Sequence, residues 1–294
     1  MKAKKSLGQN FLKSEIALRK IIEAGEIKST DVILEIGPGK GALTSKLLEK
    51  SGIVIAVEKD RELFEFLKIK FAEAITEKKL ILINDDILKF IEDVVLKSIA
   101  QADEPSIANF QQKIMCGFQN NILNKFNYKI IANIPYNITG AILKKFLTAE
   151  NQPESMILMV QHEVAKRIIG RGSNPSTPLR VKESILSISV KAYGEAKMIM
   201  KVDKRYFSPS PKVDSAIIAI KNISRKNFEG VKHPMFDNFE EKFWEIVKTG
   251  FAHKRKKLSS NLKVLKLEKT DLLEKLGNKR AEDLTLSDWL ALTK

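Results

Sequence analysis

The sequence predicts an α/β fold, a seven-stranded sheet built on parallel βαβ units and followed by a small helical tail. Three observations predict it. Between residues 31 and 160, short β-branched apolar runs alternate with longer amphipathic stretches. Two further apolar runs flank a proline-containing turn, Phe207-Ser208-Pro209-Ser210-Pro211. Past about Asn222 the strand signal ends and only helical periodicity remains.

The first five runs are residues 32–36, 53–57, 80–83, 129–132 and 156–160. They are nearly continuous in apolar character, as strands buried on both faces are. Residues 42–50 follow the first run, with Leu43, Leu47 and Leu48 at helical spacing. Residues 61–77 follow the second, with Leu63, Phe64, Leu67 and Phe71, and with Asp60 placed as the N-cap. A helix is expected over 91–99. Residues 101–127 are rich in Asn and Gln without a period and read as a surface insertion. Residues 139–149, with Ile142, Leu143, Phe146 and Leu147, form the helix before the fifth strand. Alternation of this kind gives right-handed crossovers. Then come a helix over 163–169, a loop over 170–178, a helix over 181–192, and strands over 196–202 and 214–220. Four helical clusters make the tail: Phe239/Phe243/Trp244/Val247, residues 258–265, Leu272/Leu273/Leu276 and Leu286/Trp289/Leu290/Leu292. The expected domains are 1–222 and 223–294.

Composition narrows the function. Of 294 residues, 51 are Lys or Arg and 36 are Asp or Glu, a net charge of +15 that points to a polyanionic partner. Hydrophobic residues at 44% exclude a disordered or collagen-like chain. The single cysteine, Cys116, excludes an intramolecular disulfide and a cysteine-rich zinc site, and no metal is expected. Ser6-Leu7-Gly8-Gln9-Asn10 stands where a signal peptide would need its apolar stretch, and no run reaches the roughly 18 apolar residues of a membrane span. The expected location is the cytoplasm.

The first strand ends in Glu35-Ile36-Gly37-Pro38-Gly39-Lys40-Gly41 and a helix follows. Glycines at such a turn let backbone approach a nucleotide, with free N–H groups at the helix start. Glu58 ends the second strand 21 residues after Gly37. That fits an acid accepting from both ribose hydroxyls about 20 residues on. The loop alone does not separate NAD from S-adenosylmethionine. The third strand ends Asn84-Asp85-Asp86-Ile87. An acid there either accepts from an adenine amino group or caps a helix before Leu88.

The fourth strand ends in Asn133-Ile134-Pro135-Tyr136, where an open α/β sheet places its chemistry. The Asn133 side-chain oxygen and the Ile134 carbonyl can both accept hydrogen bonds. Pro135 fixes the backbone and Tyr136 offers a flat aromatic face. Together they suit a planar base bearing an exocyclic amine. As a lone match, the same four residues read as an Asn-Pro turn with a buried tyrosine.

The match is not alone. Along nearly its whole length the chain resembles the ribosomal RNA adenine dimethyltransferase family. The residues that carry the resemblance are Lys5-Ser6-Leu7-Gly8-Gln9-Asn10-Phe11-Leu12, Glu35 to Gly41, Val57-Glu58, Asp86-Ile87 and Asn133 to Tyr136. They continue in Gln161-His162-Glu163-Val164-Ala165-Lys166-Arg167, Phe207 to Ala216, and Phe251-Ala252-His253-Lys254-Arg255-Lys256-Lys257-Leu258. The resemblance implies a Rossmann-like class I methyltransferase sheet of seven strands with a small all-helical C-terminal domain. It implies S-adenosylmethionine as cofactor, lined by Gln9, Asn10, Leu12, Gly37, Gly39, Glu58, Asp86 and Asn133. Glu58 would hold the ribose and Asp86 the adenine amine. Asn133, Ile134, Pro135 and Tyr136 would receive an extruded adenine and act in catalysis. No general base is expected, so His162, His233 and His253 are not catalytic.

Lys212-Val213-Asp214-Ser215 and the tail with Arg280-Ala281-Glu282-Asp283-Leu284 resemble the branch that modifies two adjacent adenosines near the 3′ end of small-subunit ribosomal RNA. The other branch, which modifies large-subunit RNA and confers macrolide resistance, tends to carry Asn in place of Asp214. The insertion at 101–127 and the absence of a Tyr-Gly step in 170–180 depart from the family pattern. Residues 250–280 hold ten basic against three acidic side chains. Lys254, Arg255, Lys256 and Lys257 are expected to contact RNA phosphates, with Lys2, Lys4 and Lys5 as a mobile arm. The expected partner is small-subunit ribosomal RNA within an immature 30S-type particle, and the expected state is a monomer. Two other readings remain: a non-catalytic RNA-binding assembly factor, and a nucleotide-dependent oxidoreductase that leaves Asn133–Tyr136 without a role.

Overall fold

Alternation along the strands sorts their side chains onto two faces, and each face carries its own helices. The computed structural model describes residues 3–89, 127–170, 182–229, 238–265 and 271–294. The helix expected over 91–99, nearly all of the 101–127 insertion with Cys116, the loop after Gly170, His233 and Lys2 lie outside these residues. The chain begins with β1 (Phe11–Leu12), α1 (Glu15–Gly25), β2 (Val32–Ile36), α2 (Ala42–Leu48) and β3 (Ile53–Glu58). It continues with α3 (Arg61–Lys70), α4 (Ala72–Thr76), β4 (Leu80–Asn84), β5 (Tyr128–Asn133), α5 (Thr139–Leu147), β6 (Ser155–Gln161) and α6 (His162–Ile169). Then come α7 (Ile185–Tyr193), β7 (Glu195–Val202), β8 (Phe207–Ser208) and β9 (Ser215–Lys221). The last described helices are α8 (Phe239–Gly250), α9 (Leu258–Leu262), α10 (Asp271–Gly277) and α11 (Leu286–Thr293).

Seven strands form one sheet in the order β4-β3-β2-β5-β6-β9-β7. Its first five strands are parallel, and β9 runs antiparallel to both its neighbours. All seven strands expected from the sequence are in it. Val32, Leu34, Ile36, Ile130 and Ala132 share one face with α5, α7 and the terminal helices. Ile33, Val54, Ala56, Ile131 and Ile157 share the other with α1 and α2. The first cluster runs without a break through Tyr193 and Phe228 to Phe243 and Trp289. Lys129 is a polar exception in a buried strand. Its ammonium pairs with Asp31 at 2.7 Å and donates to the Gly25 and Glu26 carbonyls at the end of α1, where the helix dipole favours a cation.

Three local features differ from the sequence reading. The helix expected over 61–77 breaks at Phe71 into α3 and α4. Phe71 packs its ring on Gly41, where an added Cβ would fall 2.5 Å from Phe71 Cε2. β1 and β8 pair as a short antiparallel ribbon, Phe11 opposite Ser208 and Leu12 opposite Phe207. Lys4 is not part of a mobile arm. Its ammonium lies 2.7 Å from Asp60 and 3.0 Å from Glu62, and its backbone N–H donates to Gln9 Oε1. Asp60 thus caps α3, as expected, and also ties down the N-terminal segment.

Candidate active site

The chain runs from β2 outward to β3 and β4, then returns to lay β5 on the other side of β2. A crevice opens at such a reversal, beyond the carboxyl ends of the strands. The glycine turn leaves β2 there, and Asn133–Tyr136 leaves β5. A Cβ built on Gly37 would lie 3.9 Å from Pro135 Cδ, so the two loops are in van der Waals range. Between them is a cleft of about 460 Å³. Gln9, Asn10, Leu12, Gly37, Gly39, Glu58, Asp86 and Asn133 through Tyr136 all line it.

Glu58 is buried at the end of β3. One carboxylate oxygen accepts from the Gly39 N–H at 3.0 Å and the other from the Asp60 N–H at 2.9 Å. Burial raises its pKa, and these backbone bonds oppose the rise. Both bonds hold the glycine turn against β3. Asp86 caps the turn before Leu88, accepting its N–H at 3.1 Å, and pairs with Lys59 at 2.8 Å. The Lys59 ammonium holds the Asp86 carboxyl below the usual range. Of the two readings left open at this position the structure shows the cap, and it places Asp86 on the border of the cleft.

The N-terminal segment closes one side. Gln9 Nε2 donates to Asp60 Oδ2 at 2.7 Å, and Asn10 Nδ2 donates to the Gly8 carbonyl at 3.1 Å. The Asn10 carbonyl in turn accepts from Asn133 Nδ2 at 3.1 Å. That bond orients the Asn133 amide. Its Oδ1 has no donor among the described residues and is free to accept, on a residue that lines the cleft. The Tyr136 hydroxyl shares a hydrogen bond with Ser215 Oγ, which fixes the ring. Burial raises the tyrosine pKa and keeps it neutral.

Glu35 is the cleft residue whose role the sequence did not assign. It is 1% exposed, yet its Oε2 has no hydrogen-bond partner, and neither has the buried Thr44 Oγ1. Burial pushes its pKa up to about 8. The available signal was an acid in the middle of an apolar strand, two residues before a glycine turn. Lys254, Arg255, Lys256 and Lys257 stand elsewhere, all exposed on the turn between α8 and α9. Lys257 donates to Asn278 Oδ1 at 3.0 Å, and none of the four has a carboxylate partner among the described residues.

A mixed seven-stranded sheet with a glycine turn and an acid-lined cleft at its switch point defines a Rossmann-like methyltransferase. Residues 1–294 match the model of the family described as ribosomal RNA adenine dimethylase, and the chain belongs to that family. It is 36% identical to a ribosomal RNA small subunit methyltransferase A from Dehalococcoides mccartyi, covering 99% of this chain and 88% of that one. It is 37% identical to the protein of the same description from Francisella tularensis, covering 99% and 96%. A Plasmodium falciparum dimethyladenosine transferase superposes with a TM-score of 0.67 at 24% identity, covering 96% of this chain and 95% of that one. The 23S rRNA methyltransferase ErmE superposes at 0.64 and 23% identity, covering 97% and 98%. At these identities the two structures speak for the fold.

The family's methyl donor is S-adenosylmethionine. The residues present fit it. Glu58 and Asp86 offer acceptors for ribose and adenine. Gly37, with positive φ and no side chain, leaves room beside Pro135. The unpartnered Glu35 carboxylate suits a cationic ammonium. Gly39 tests the fit. Its φ is +61°, and an added Cβ would lie 3.0 Å from the Phe11 ring. Gly39→Ala is expected to cost about 1–2 kcal/mol of stability. The melting shift produced by S-adenosylhomocysteine should shrink with it, because the loop that moves is the cleft wall. A melting curve with and without that ligand checks both effects.

Proposed function

We propose that this chain dimethylates N6 of two adjacent adenosines near the 3′ end of small-subunit ribosomal RNA. The observation that carries the reading is the free Asn133 Oδ1, held by the Asn10 carbonyl in the same cleft as the glycine turn. Bound in that cleft, S-adenosylmethionine supplies an electrophilic methyl group on a sulfonium. The chain's own residues do the rest. Tyr136 stacks on the extruded base, an interaction of about 1–3 kcal/mol that offsets much of the unstacking cost. Asn133 Oδ1 and the Ile134 carbonyl accept the two N–H bonds of the adenine amine. That draws the nitrogen lone pair out of ring conjugation and toward the methyl group. Alignment supplies most of the rate. The proton leaves to water after transfer, with no general base. One N–H remains after the first methyl, so a second round uses the same slot.

The small-subunit assignment is supported by the descriptions of the relatives matched across 99% of this chain. The working form we infer is a cytoplasmic monomer on an immature small-subunit particle. Among the described residues no helix is long and apolar enough to cross a membrane. Residues 1–222 carry the chemistry and 223–294 hold the RNA, with Lys254–Lys257 on phosphates.

Incubating the protein with unmodified small-subunit particles and labelled methyl donor tests the reading. The label should map to two adjacent adenosines near the 3′ end. Label in large-subunit RNA favours the resistance-type reading, and tight binding without label favours the assembly factor. Melting shifts with S-adenosylhomocysteine but not NAD exclude the oxidoreductase. Neutralising Lys254, Arg255, Lys256 and Lys257 together should lower the slope of log affinity against log salt by up to about 3, from roughly 0.7–0.9 per phosphate contact. An unchanged slope would assign this turn to solvent.

A further inference from the structure

We propose that the turn between β7 and β9 is a second RNA surface, which holds the single-stranded nucleotide beside the extruded base. The inference rests on the RNA methyltransferase reading and adds a site to it. Tyr206 is 45% exposed and Val213 is 45% exposed on a turn whose neighbours are polar. This turn borders the cleft. The Lys13 N–H donates to the Tyr206 carbonyl at 2.8 Å, and Lys13 and Ser208 both line the cleft.

The charge of the turn is one-sided. Its acids are engaged: Asp203 pairs with Arg205 at 3.0 Å and Asp214 with Lys201 at 2.8 Å. Lys13, Lys204 and Lys212 are exposed and have no carboxylate partner among the described residues. Lys166 joins them from α6, which is tied to the turn by the His162 N–H donating to the Asp214 carbonyl at 2.9 Å. Burial lowers the His162 pKa, and the Lys166 and Lys201 charges lower it further. An exposed aromatic ring among unpaired cations is how single-stranded nucleic acid is held: cations on the backbone, a ring on the base. Extruding one base unstacks its neighbour and makes that neighbour's face available. The unpaired cations and the neighbouring cleft favour a polyanion with bases over a protein as the occupant.

The experiment uses the full chain and a single-stranded oligoribonucleotide containing two adjacent adenosines, with 2-aminopurine as the flanking base. Anisotropy gives affinity, and quenching reports stacking of the flank. Tyr206→Ala should weaken binding by about tenfold and abolish the quench, while Tyr206→Phe keeps both. Lys204→Gln with Lys212→Gln should lower the salt slope by about 1.4. The melting shift with S-adenosylhomocysteine should persist in each variant, which shows the fold and cleft intact. Wild-type affinity and quench in Tyr206→Ala overturn this surface. If the native chain binds the oligonucleotide but only the Lys254–Lys257 changes weaken it, this surface falls and the RNA reading stands. No binding by the native chain overturns this surface as a holder of single-stranded RNA, while the methyltransferase reading, tested on particles, stands.

Discussion

Asn133→Ala is expected to reduce kcat for methyl transfer by about 10²–10³-fold, the usual effect of deleting one hydrogen-bonding group aimed at the transition state. Cofactor affinity should fall by no more than about tenfold, since one bond of modest net strength is lost there. The two effects have separate causes in the structure. Asn133 Nδ2 holds the Asn10 carbonyl, and so steadies the N-terminal wall of the cleft. Asn133 Oδ1 is the acceptor for the adenine amine. Asn133→Asp separates them, because a carboxylate keeps an acceptor but cannot donate to the Asn10 carbonyl. Equilibrium binding of S-adenosylhomocysteine measures the first role and single-turnover methyl transfer the second. Near-normal transfer by Asn133→Ala would remove this amide from the chemistry.

That prediction uses residues legible before any coordinates. A strand of near-continuous apolar residues is recognisable because both its faces are buried, and the five central strands are of that kind, whereas the edge strand β4 is mostly half-buried and a register shift between Met198 and Met200 breaks the alternation of β7. The glycine turn was legible for a related reason: a strand end at the switch point is where backbone must bend sharply beside a ligand, and glycines gather there. Asn133–Tyr136 by itself reads as a turn with a buried tyrosine, and it stood out as a site only through the resemblance that the other motifs carry. Long-range pairings were not legible. β1 and β8 have two residues each, too few to show a period, and their pairing joins segments nearly 200 positions apart. Lys4 read as a free cation because Asp60, its partner, was already explained as a helix cap. Phe71 fits the helical period that runs through it. Only its packing on Gly41 shows why the helix breaks there. Glu35 was visible in the glycine motif, but its lack of a partner is a three-dimensional fact.

Glu35 gives the largest expected effect on stability. Its folded pKa of about 8 lies above the value of 4.5 for an unperturbed glutamate. Between those values the folded chain keeps a proton that the unfolded chain has released. Stability is therefore full below about pH 4.5 and declines as pH rises toward 8, by an amount on the order of 5 kcal/mol from this residue. The groups that act on it are consistent with that sign. Burial dominates, the nearby Glu58 charge adds to the rise, and the Lys70 charge only partly opposes it. Glu35→Gln removes the titration, so its stability should change less between pH 5 and 8 and exceed that of the native chain at pH 8. Urea unfolding of the ligand-free protein at several pH values measures this. The same carboxylate should respond to cofactor. An ammonium placed beside it favours the ionised form, so binding near neutral pH must expel the proton. Calorimetry of S-adenosylhomocysteine binding in two buffers of different ionisation enthalpy should show release of close to one proton in the native chain and none from this site in Glu35→Gln. Equal release in both would mean that the ammonium sits elsewhere, and that the orphaned oxygen in β2 serves neither the ligand nor the pH response.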